Sequence, residues 1–418
     1  MQFSVQGNNM YISNNFYQKN TNISSVFETV WRNENISRSA ISKSLDLYRS
    51  TITNIISYLI EKDLILEGVV GQSTSKGGRR PIFLSVNKHF GCIIGVDINT
   101  EKYSVSVISV DGSVLSSFSS ETPQDEENKD DPEQCFVYAL DNIIASLLKP
   151  VSDLKIPVLG ICVSVPGIVD CDKGVIKESF SFGLNDFDFA ETFYSRYGVP
   201  CIAENDARCL AWRQFAMQRG DRVRKEDFMC VLSKNMEGKK VFGGKTQKGI
   251  GIGLSIAVKG SLIYGSHYCV GEYISTSWRG NTPRQSGLSE DVIDSLFKDD
   301  ESYSLWVEDL FKTLTVYIPL LQPERILLYG QSEKRANLIR SVIAERVPQF
   351  AKAMEKFNSS LELLPYNQLD LAEGAAYKYL QQMFVVMETD NDSWIKSYDW
   401  ERAFKLRQKG LKQFQLHV

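Results

Sequence analysis

Apolar positions near the start of the chain recur three and four apart at Ile23, Val26, Phe27 and Val30, which predicts a helix. A second short helix is expected over residues 37–45. Ser37 is suited to its N-cap, and Ala40, Ile41 and Leu45 lie on one face. A break at Asp46, Leu47 and Tyr48 leads into a third helix over residues 49–62. There Ile52, Ile55, Ile56, Leu59 and Ile60 face inward, and Arg49, Ser50, Thr53, Asn54 and Ser57 face outward. The pattern then turns strand-like over residues 64–70 and 81–86, around a Gly/Ser-rich stretch carrying Lys76, Arg79 and Arg80. Short helices, a tight turn and a hairpin with a basic tip predict a winged helix-turn-helix over residues 1–88.

Beyond His89 the patterning changes. Residues 91–98 form a buried-strand run ending on an acid, followed by strands over 102–110 and 113–119 with Asp111-Gly112 as the turn. An acidic loop at 121–133 feeds a helix from Pro132, with its apolar stripe at 136–148, and a strand follows at 158–164. Three strands, a helix and a strand open a ribonuclease-H-like α/β fold. A second, similar half begins near Phe228. It has a glycine-rich strand pair over 249–265, a helix over 305–321 and a strand over 325–329. The expected fold class is α/β: a winged helix-turn-helix followed by a two-lobed domain of the actin/hexokinase ATPase type, residues 89–385, and a helical extension, residues 386–418.

Composition narrows the classes. At 43% hydrophobic and 23% charged residues, a mainly disordered or collagen-like chain is excluded. No run of ~18 apolar residues would cross a membrane. Residues 1–20 are polar and lack a signal core, so a cytoplasmic protein is expected. The eight cysteines include no C-x-x-C pair, which points to reduced thiols. The formal charge is uneven: +4 over residues 1–88 within a total of −4. A basic module ahead of an acidic one suits two different partners.

Several motifs, taken in order, resemble the ROK family (repressors, uncharacterised frames and sugar kinases), in particular its winged-helix transcriptional regulators. They are Gly78-Arg-Arg-Pro81, Val96-Asp97-Ile98, Val165-Pro-Gly-Ile-Val-Asp170, Glu204-Asn-Asp-Ala207, Gly249-Ile-Gly-Ile-Gly253 with Gly271-Glu272, Leu328-Tyr-Gly330 and Glu373-Gly-Ala-Ala376. The resemblance covers roughly residues 20–380. It implies a homodimeric repressor that binds a pseudo-palindromic duplex operator and responds to a monosaccharide in the interlobe cleft. Arg49, Ser50, Thr53 and Asn54 would contact the major groove, and Lys76, Arg79 and Arg80 the minor groove or phosphates. Asn205, Asp206 and Glu272 would bind sugar hydroxyls, with His267 lining the pocket.

Departures from the family pattern sharpen the reading. Sugar kinases of the family carry Asp-x-Gly-Gly-Thr after the first strand, and this chain has Asp97-Ile-Asn-Thr-Glu101. Both glycines that would let backbone amides approach a phosphate are absent, and Gln247-Lys248-Gly249 stands for the second phosphate motif. No enzymatic activity and no cofactor are expected. The family also implies a zinc site from one His and three Cys. Residues 271–290 offer neither residue type, so no metal is expected. Ser181 replaces a sugar-binding Asn. Two alternatives remain: an ATP-dependent sugar kinase with a DNA-binding head, and a DNA-binding dimer without an effector.

Overall fold

The computed structural model describes residues 8–33, 35–70, 80–218, 226–236, 238, 248–280, 285–330, 335–365, 367–384 and 398–409. The first helix, α1 (Asn8–Arg32), is longer than the short one its apolar spacing predicts. Its first half is polar, so hydrophobic period cannot report it. Its second half anchors the helix through buried Ile23, Val26, Phe27, Val30 and Trp31. Ser37 Oγ accepts the Ala40 N–H at 3.3 Å and starts α2 (Arg38–Leu45). Asp46, at φ 51°, ends that helix in the left-handed region. Then α3 (Arg49–Glu61) buries Ile52, Ile56 and Leu59 and exposes Arg49, Ser50, Thr53 and Asn54. Strands β1 (Ile36–Ser37), β2 (Ile65–Val70) and β3 (Ile82–Val86) make an antiparallel sheet with β3 central. Arg80 is exposed just before β3, while Lys76 and Arg79 lie outside the described residues.

The first lobe contains β4 (Cys92–Ile98), β5 (Lys102–Ser109), β6 (Val114–Glu121), α4 (Pro132–Asp153) and β7 (Val158–Val165). A small antiparallel sheet follows: β8 (Ile168–Asp170), β9 (Val175–Ser179) and β10 (Leu184–Asp188). These strands are too short for alternation to declare them. After α5 (Phe189–Tyr197), β11 (Cys201–Asn205) completes the main sheet, ordered β11-β7-β4-β5-β6. Helix α4 alone among the described helices is long and apolar enough to reach across a membrane. Its Phe136, Leu140, Ile143, Ile144 and Leu147 are instead buried in the core of the lobe.

The second lobe repeats the order. Its strands are β12 (Phe228–Asn235), β13 (Ile250–Val258), β14 (Ser261–Leu262), β15 (Arg325–Gly330) and β16 (Ser360–Pro365), arranged β14-β13-β12-β15-β16. In both sheets the first strand is central, the second and third lie to one side, and the fourth and fifth pair in parallel on the other. Helices α7 (Glu290–Ser295), α8 (Asp300–Leu321), α9 (Ala336–Arg346) and α10 (Pro348–Lys356) supply the apolar cover, most of it from α8. Two helices tie the lobes together. One is α6 (Asp206–Met217), which packs on β13, and the other is α11 (Gln368–Gln382), which crosses back to lie on β4, β5 and β7. They approach so closely that a Cβ at Gly374 would sit 2.0 Å from the Cys209 carbonyl oxygen. That contact explains the run of small residues at 374–376.

The helical extension expected over residues 386–418 is described in part. Its described part, α12 (Trp400–Lys409), wedges between the N-terminal unit and the first lobe. Trp400 is fully buried, donates its indole N–H to Ser24 Oγ at 2.9 Å and meets Phe27 edge-on at 5.1 Å. Phe404 packs edge-on against Tyr58 of α3 and Phe90. Glu401 accepts from Lys19 and Tyr58, and Arg407 pairs with Asp63. One hydrophobic core therefore runs from α1 through the first lobe to α12, while the second lobe has its own. Truncating so large a buried side chain costs about 3–5 kcal/mol. Trp400→Ala is therefore expected to lower unfolding free energy by about that amount in urea titration. A loss under ~1 kcal/mol would mean that α12 does not clamp the N-terminal unit.

Candidate functional site

A set of buried charges stands behind the interlobe cleft. Glu204, at the end of β11, is 0% exposed. Its Oε1 accepts from Arg208 Nη1 at 3.2 Å, and its Oε2 accepts from the Tyr264 hydroxyl at 2.9 Å and Trp212 Nε1 at 3.4 Å. Lys378, from α11, lies 3.5 Å from Glu204 Oε2 and donates to the Tyr264 hydroxyl at 3.1 Å. Burial alone would depress the Lys378 ammonium, but Tyr264, Cys171 and Glu204 together hold its pKa well above the usual lysine value. Arg208 Nη2 also donates to the Tyr268 carbonyl at 2.7 Å, and its guanidinium lies over the Tyr264 ring. None of Arg208, Trp212, Tyr264 and Lys378 was singled out from the sequence. Only the spacing of Glu204 and Arg208, four apart across a helix start, hints at the pair.

The next two residues are Asn205 and Asp206. Asn205 caps α6 by accepting the Arg208 N–H at 3.1 Å, and its amide donates to the Gly167 carbonyl at 2.9 Å. It therefore fixes the Val165–Asp170 segment against the helix start. Asp206 Oδ1 accepts the Ala207 N–H at 2.8 Å, and Oδ2 accepts from Lys234 Nζ at 2.7 Å. Lys234 comes from β12, so this ion pair spans the two lobes. Asp97, at the end of β4, is fully buried. Burial raises its carboxyl pKa above the usual carboxylate range, Lys234 and a 2.6 Å hydrogen bond from Ser164 act against that, and Asp206 reinforces it.

Glu272 reaches the same cleft from the far side. It bridges Gly253 of β13, and a Cβ at Gly253 would sit 3.9 Å from Asp206 Oδ1. Its carboxyl pKa is raised by burial first and by Asp206 second, with Arg208 opposing. Gly271 makes this placement possible: it sits at φ 106°, and a Cβ there would meet the Leu254 carbonyl oxygen at 2.1 Å. The structure thus brings Asn205, Asp206 and Glu272 together. His267 is exposed on the preceding loop, where its carbonyl accepts from the Cys269 thiol. Ser181 is half-buried in the β9–β10 turn.

The segment after Glu272 is where the family resemblance implies zinc. Its donor set does not fit that ion, which needs thiolate or imidazole. Ser275, Ser277 and Thr313 contribute hydroxyls, Gln285 an amide and Asp309 one carboxylate, and they are bonded to one another or to backbone. Ser275 Oγ donates to Asp309 Oδ1 at 2.7 Å, and the Ser275 N–H donates to the Gln285 carbonyl at 2.7 Å. The Gln285 amide accepts the Ile252 N–H at 2.8 Å and donates to the Ile252 carbonyl at 2.6 Å, as a neighbouring strand would. These bonds hold the segment to β13 and α8 without a metal. Among the described residues, no group of three His, Cys, Asp or Glu side chains could hold one.

The turn after β4, which would cradle a nucleotide phosphate, is also otherwise engaged. Asn99 Oδ1 accepts the N–H groups of Glu101 and Lys102, both at 3.0 Å. Those amides already have a partner. Of the second phosphate segment, Lys248 pairs with Asp294 at 2.7 Å, and Gln247 lies outside the described residues. Six cysteines are buried, Cys171 is half-buried and Cys269 exposed. Burial pushes the Cys92 and Cys230 thiols up to about 12, which keeps them unreactive.

Two sheets of one strand order facing a carboxylate-lined cleft define an α/β protein of the actin/hexokinase type. Residues 93–273 match the ROK family model. It is 32% identical over 202 residues to the xylose repressor of Staphylococcus xylosus, across 48% of this chain and 50% of that protein. It is 26% identical over 205 residues to the xylose repressor of Bacillus subtilis strain 168, across 49% and 50%. It is 28% identical over 208 residues to the DNA-binding transcriptional dual regulator NagC of Escherichia coli K12, across 49% and 48%. The chain spans about half the length of the curated relatives it matches. In fold it is similar to the crystal structure of a ROK family transcriptional regulator homologous to the E. coli MLC protein. There the TM-score is 0.62 at 17% identity, over 88% of this chain and 97% of that one. A sucrose complex of a ROK family protein from Streptococcus pneumoniae TIGR4 gives a TM-score of 0.51 at 21% identity, over 70% and 98%.

Two outcomes are expected from this geometry. An acid with a raised folded-state pKa stabilises fully below the ordinary carboxylate range, and that contribution is lost as pH rises through the folded value. For Asp97→Asn, the melting temperature relative to wild type should therefore climb as pH rises above the ordinary carboxylate range. A difference that stays flat with pH would show that Asp97 titrates as it does in the unfolded chain. Separately, prolonged treatment with a zinc chelator should leave the melting temperature unchanged, because hydrogen bonds close the 272–287 segment. A chelator-induced drop that added zinc reverses would refute that account.

Proposed function

We propose that this chain is a DNA-binding transcriptional regulator, a repressor of carbohydrate genes, whose cleft takes a monosaccharide as effector. Residues 1–88 act as a winged helix-turn-helix on duplex operator DNA. A homodimer would place two such heads on a pseudo-palindromic site. The carrying observation is the split character of α3. One side is sealed in the core by Ile52, Ile56 and Leu59, while Arg49, Ser50, Thr53 and Asn54 form an exposed polar row with Arg80 exposed at the hairpin. Such a row on a rigidly held helix suits base edges in the major groove, and a basic hairpin suits the adjoining backbone. The names of the xylose repressors and of the N-acetylglucosamine repressor of Escherichia coli O6:H1 support the same reading, and they suggest a pentose or an amino sugar as effector.

Phosphoryl transfer is disfavoured by two features. The amides after β4 are bonded to Asn99, and Lys234 occupies Asp206, the carboxylate a kinase would use as base. A coupled assay with ATP and a hexose panel should show no turnover. The cleft's Asp206 and Glu272 favour an effector-responsive protein over a constitutive DNA binder.

Gel-shift titration against the DNA upstream of its own gene tests the reading. Arg49→Ala should weaken specific binding by about 1–3 kcal/mol. Arg80→Ala should weaken it on every sequence and reduce the salt slope by about one. Equal affinity for upstream and scrambled fragments, unmoved by Arg49→Ala, would sink the regulator reading. Release of the DNA by D-xylose or N-acetylglucosamine would identify the effector class.

A further inference from the structure

Lys234 is a second-lobe cation that faces the carboxylate of Asp206. Its ammonium and Asp206 Oδ2 are 2.7 Å apart, and the two side chains are only 12% and 8% exposed. The pair joins different sheets. Lys234 is near the end of β12, whereas Asp206 follows directly on β11 and begins α6. Asp206 cannot swing to follow its partner, because its Oδ1 is held by the Ala207 N–H and Asn205 caps the same helix turn. Behind the pair lies Asp97, 0% exposed, with Oδ1 bonded to Ser164. Asp97 Oδ2 makes no hydrogen bond of good geometry among the described residues, and the neutral Gln368 side chain is the donor that acts on this carboxylate beside Ser164. Lys234 and Asp206 both act on Asp97 electrostatically. One ammonium therefore has a carboxylate it occupies and a second buried acceptor within its field.

A buried ion pair is costly to break when one partner is left alone, because the remaining charge stays out of water. Asp97 removes that difficulty for the ammonium. A hydroxyl removes it for Asp206, since a polyol O–H can donate to Oδ2 where the ammonium did. The cleft thus supports two satisfied arrangements with different links between the lobes. We propose that the Lys234–Asp206 ion pair is an interlobe latch, and that a polyol hydroxyl bound at Asp206 displaces the ammonium toward Asp97 and frees the lobes to turn. The displacement half rests on the effector reading given above. The latch half rests on the structure alone. Because the ligand binds only one of the two arrangements, it shifts their populations as a switch requires. A ligand that merely filled the cleft would not.

The test separates the two halves. Thermal denaturation of wild type, Lys234→Met, Asp206→Asn and the double variant forms a mutant cycle. Each single variant should lower the melting temperature, and the double variant should be no less stable than the weaker single one. Additive losses would overturn the latch, and Lys234→Arg should recover most of the single-variant loss. D-xylose and N-acetylglucosamine are then titrated by calorimetry and in the gel shift. Lys234→Met removes the competitor, so it should bind the sugar that wild type binds about tenfold tighter while DNA release by that sugar is blunted. Equal or weaker binding by Lys234→Met, or undiminished release, would overturn displacement. If wild type binds neither sugar, the effector reading and displacement fall together, and the mutant cycle still decides the latch.

Discussion

The whole two-lobed domain is organised around one buried carboxylate. Glu204 lies out of water with two cations, Arg208 and Lys378, on opposite oxygens. Taking three charges from solvent is expensive, and their mutual attraction offsets that cost only when the geometry is good and the remaining donors are bonded. Tyr264, Trp212 and the Tyr268 carbonyl supply that closure. The participants come from β11, α6, α11 and the loop after β14, so the set fixes elements from both halves at one point. Asn205 and Asp206 follow Glu204 in the chain, and the cleft inherits its geometry from the network behind it. Polar groups of this kind add less to net stability than apolar ones of equal volume, but they tolerate few alternative arrangements.

Helix α11 carries this organisation outward. Lys378 faces the buried network, and its neighbour Tyr379 donates to the Leu159 carbonyl of β7 at 2.8 Å. Just past the helix, Phe384 packs 5.4 Å from Phe27 and 4.9 Å from Trp31 of α1. Helix α12 then closes on the same residues through Trp400 and reaches α3 through Phe404 and Glu401. Close-packed elements move as units rather than deforming gradually. A shift of α11 against the first sheet is therefore felt directly at α1 and α3. The route is short and made of large side chains.

Much of this was legible in the sequence, for identifiable reasons. Amphipathic α3, the Ser37 cap and the continuously apolar first-lobe strands follow from local pattern and local hydrogen bonding, and they appear where expected. The repeated strand order could be inferred once two similar runs were seen. What escaped were features defined by tertiary proximity. Lys234 sits in a strand with nothing in its neighbours to mark it, and its meaning comes from Asp206, 28 positions away. Lys378 reads as an ordinary charged helix position, yet it is nearly buried. Strands β8 to β10 are too short to alternate convincingly, and the polar first half of α1 has no hydrophobic period at all.

The departures from the family pattern have a common physical form. Where glycines would let amides face a phosphate, the Asn99 side chain accepts those amides. Where thiolates would hold zinc, Gln285 pairs with the Ile252 backbone and Ser275 with Asp309. In the cleft itself, an ammonium faces the carboxylates. In each case a group belonging to the chain meets the hydrogen-bonding or charge demand that an external ligand would meet in a relative. Buried polar groups left unpaired cost about 1–3 kcal/mol each, so the Ser275–Asp309 and Lys234–Asp206 sites could not simply have been emptied. Each of these bonds is made within the chain itself. On the proposed reading, Asp206 and Glu272, beside Lys234, are the place where a small neutral molecule alters the balance between the lobes.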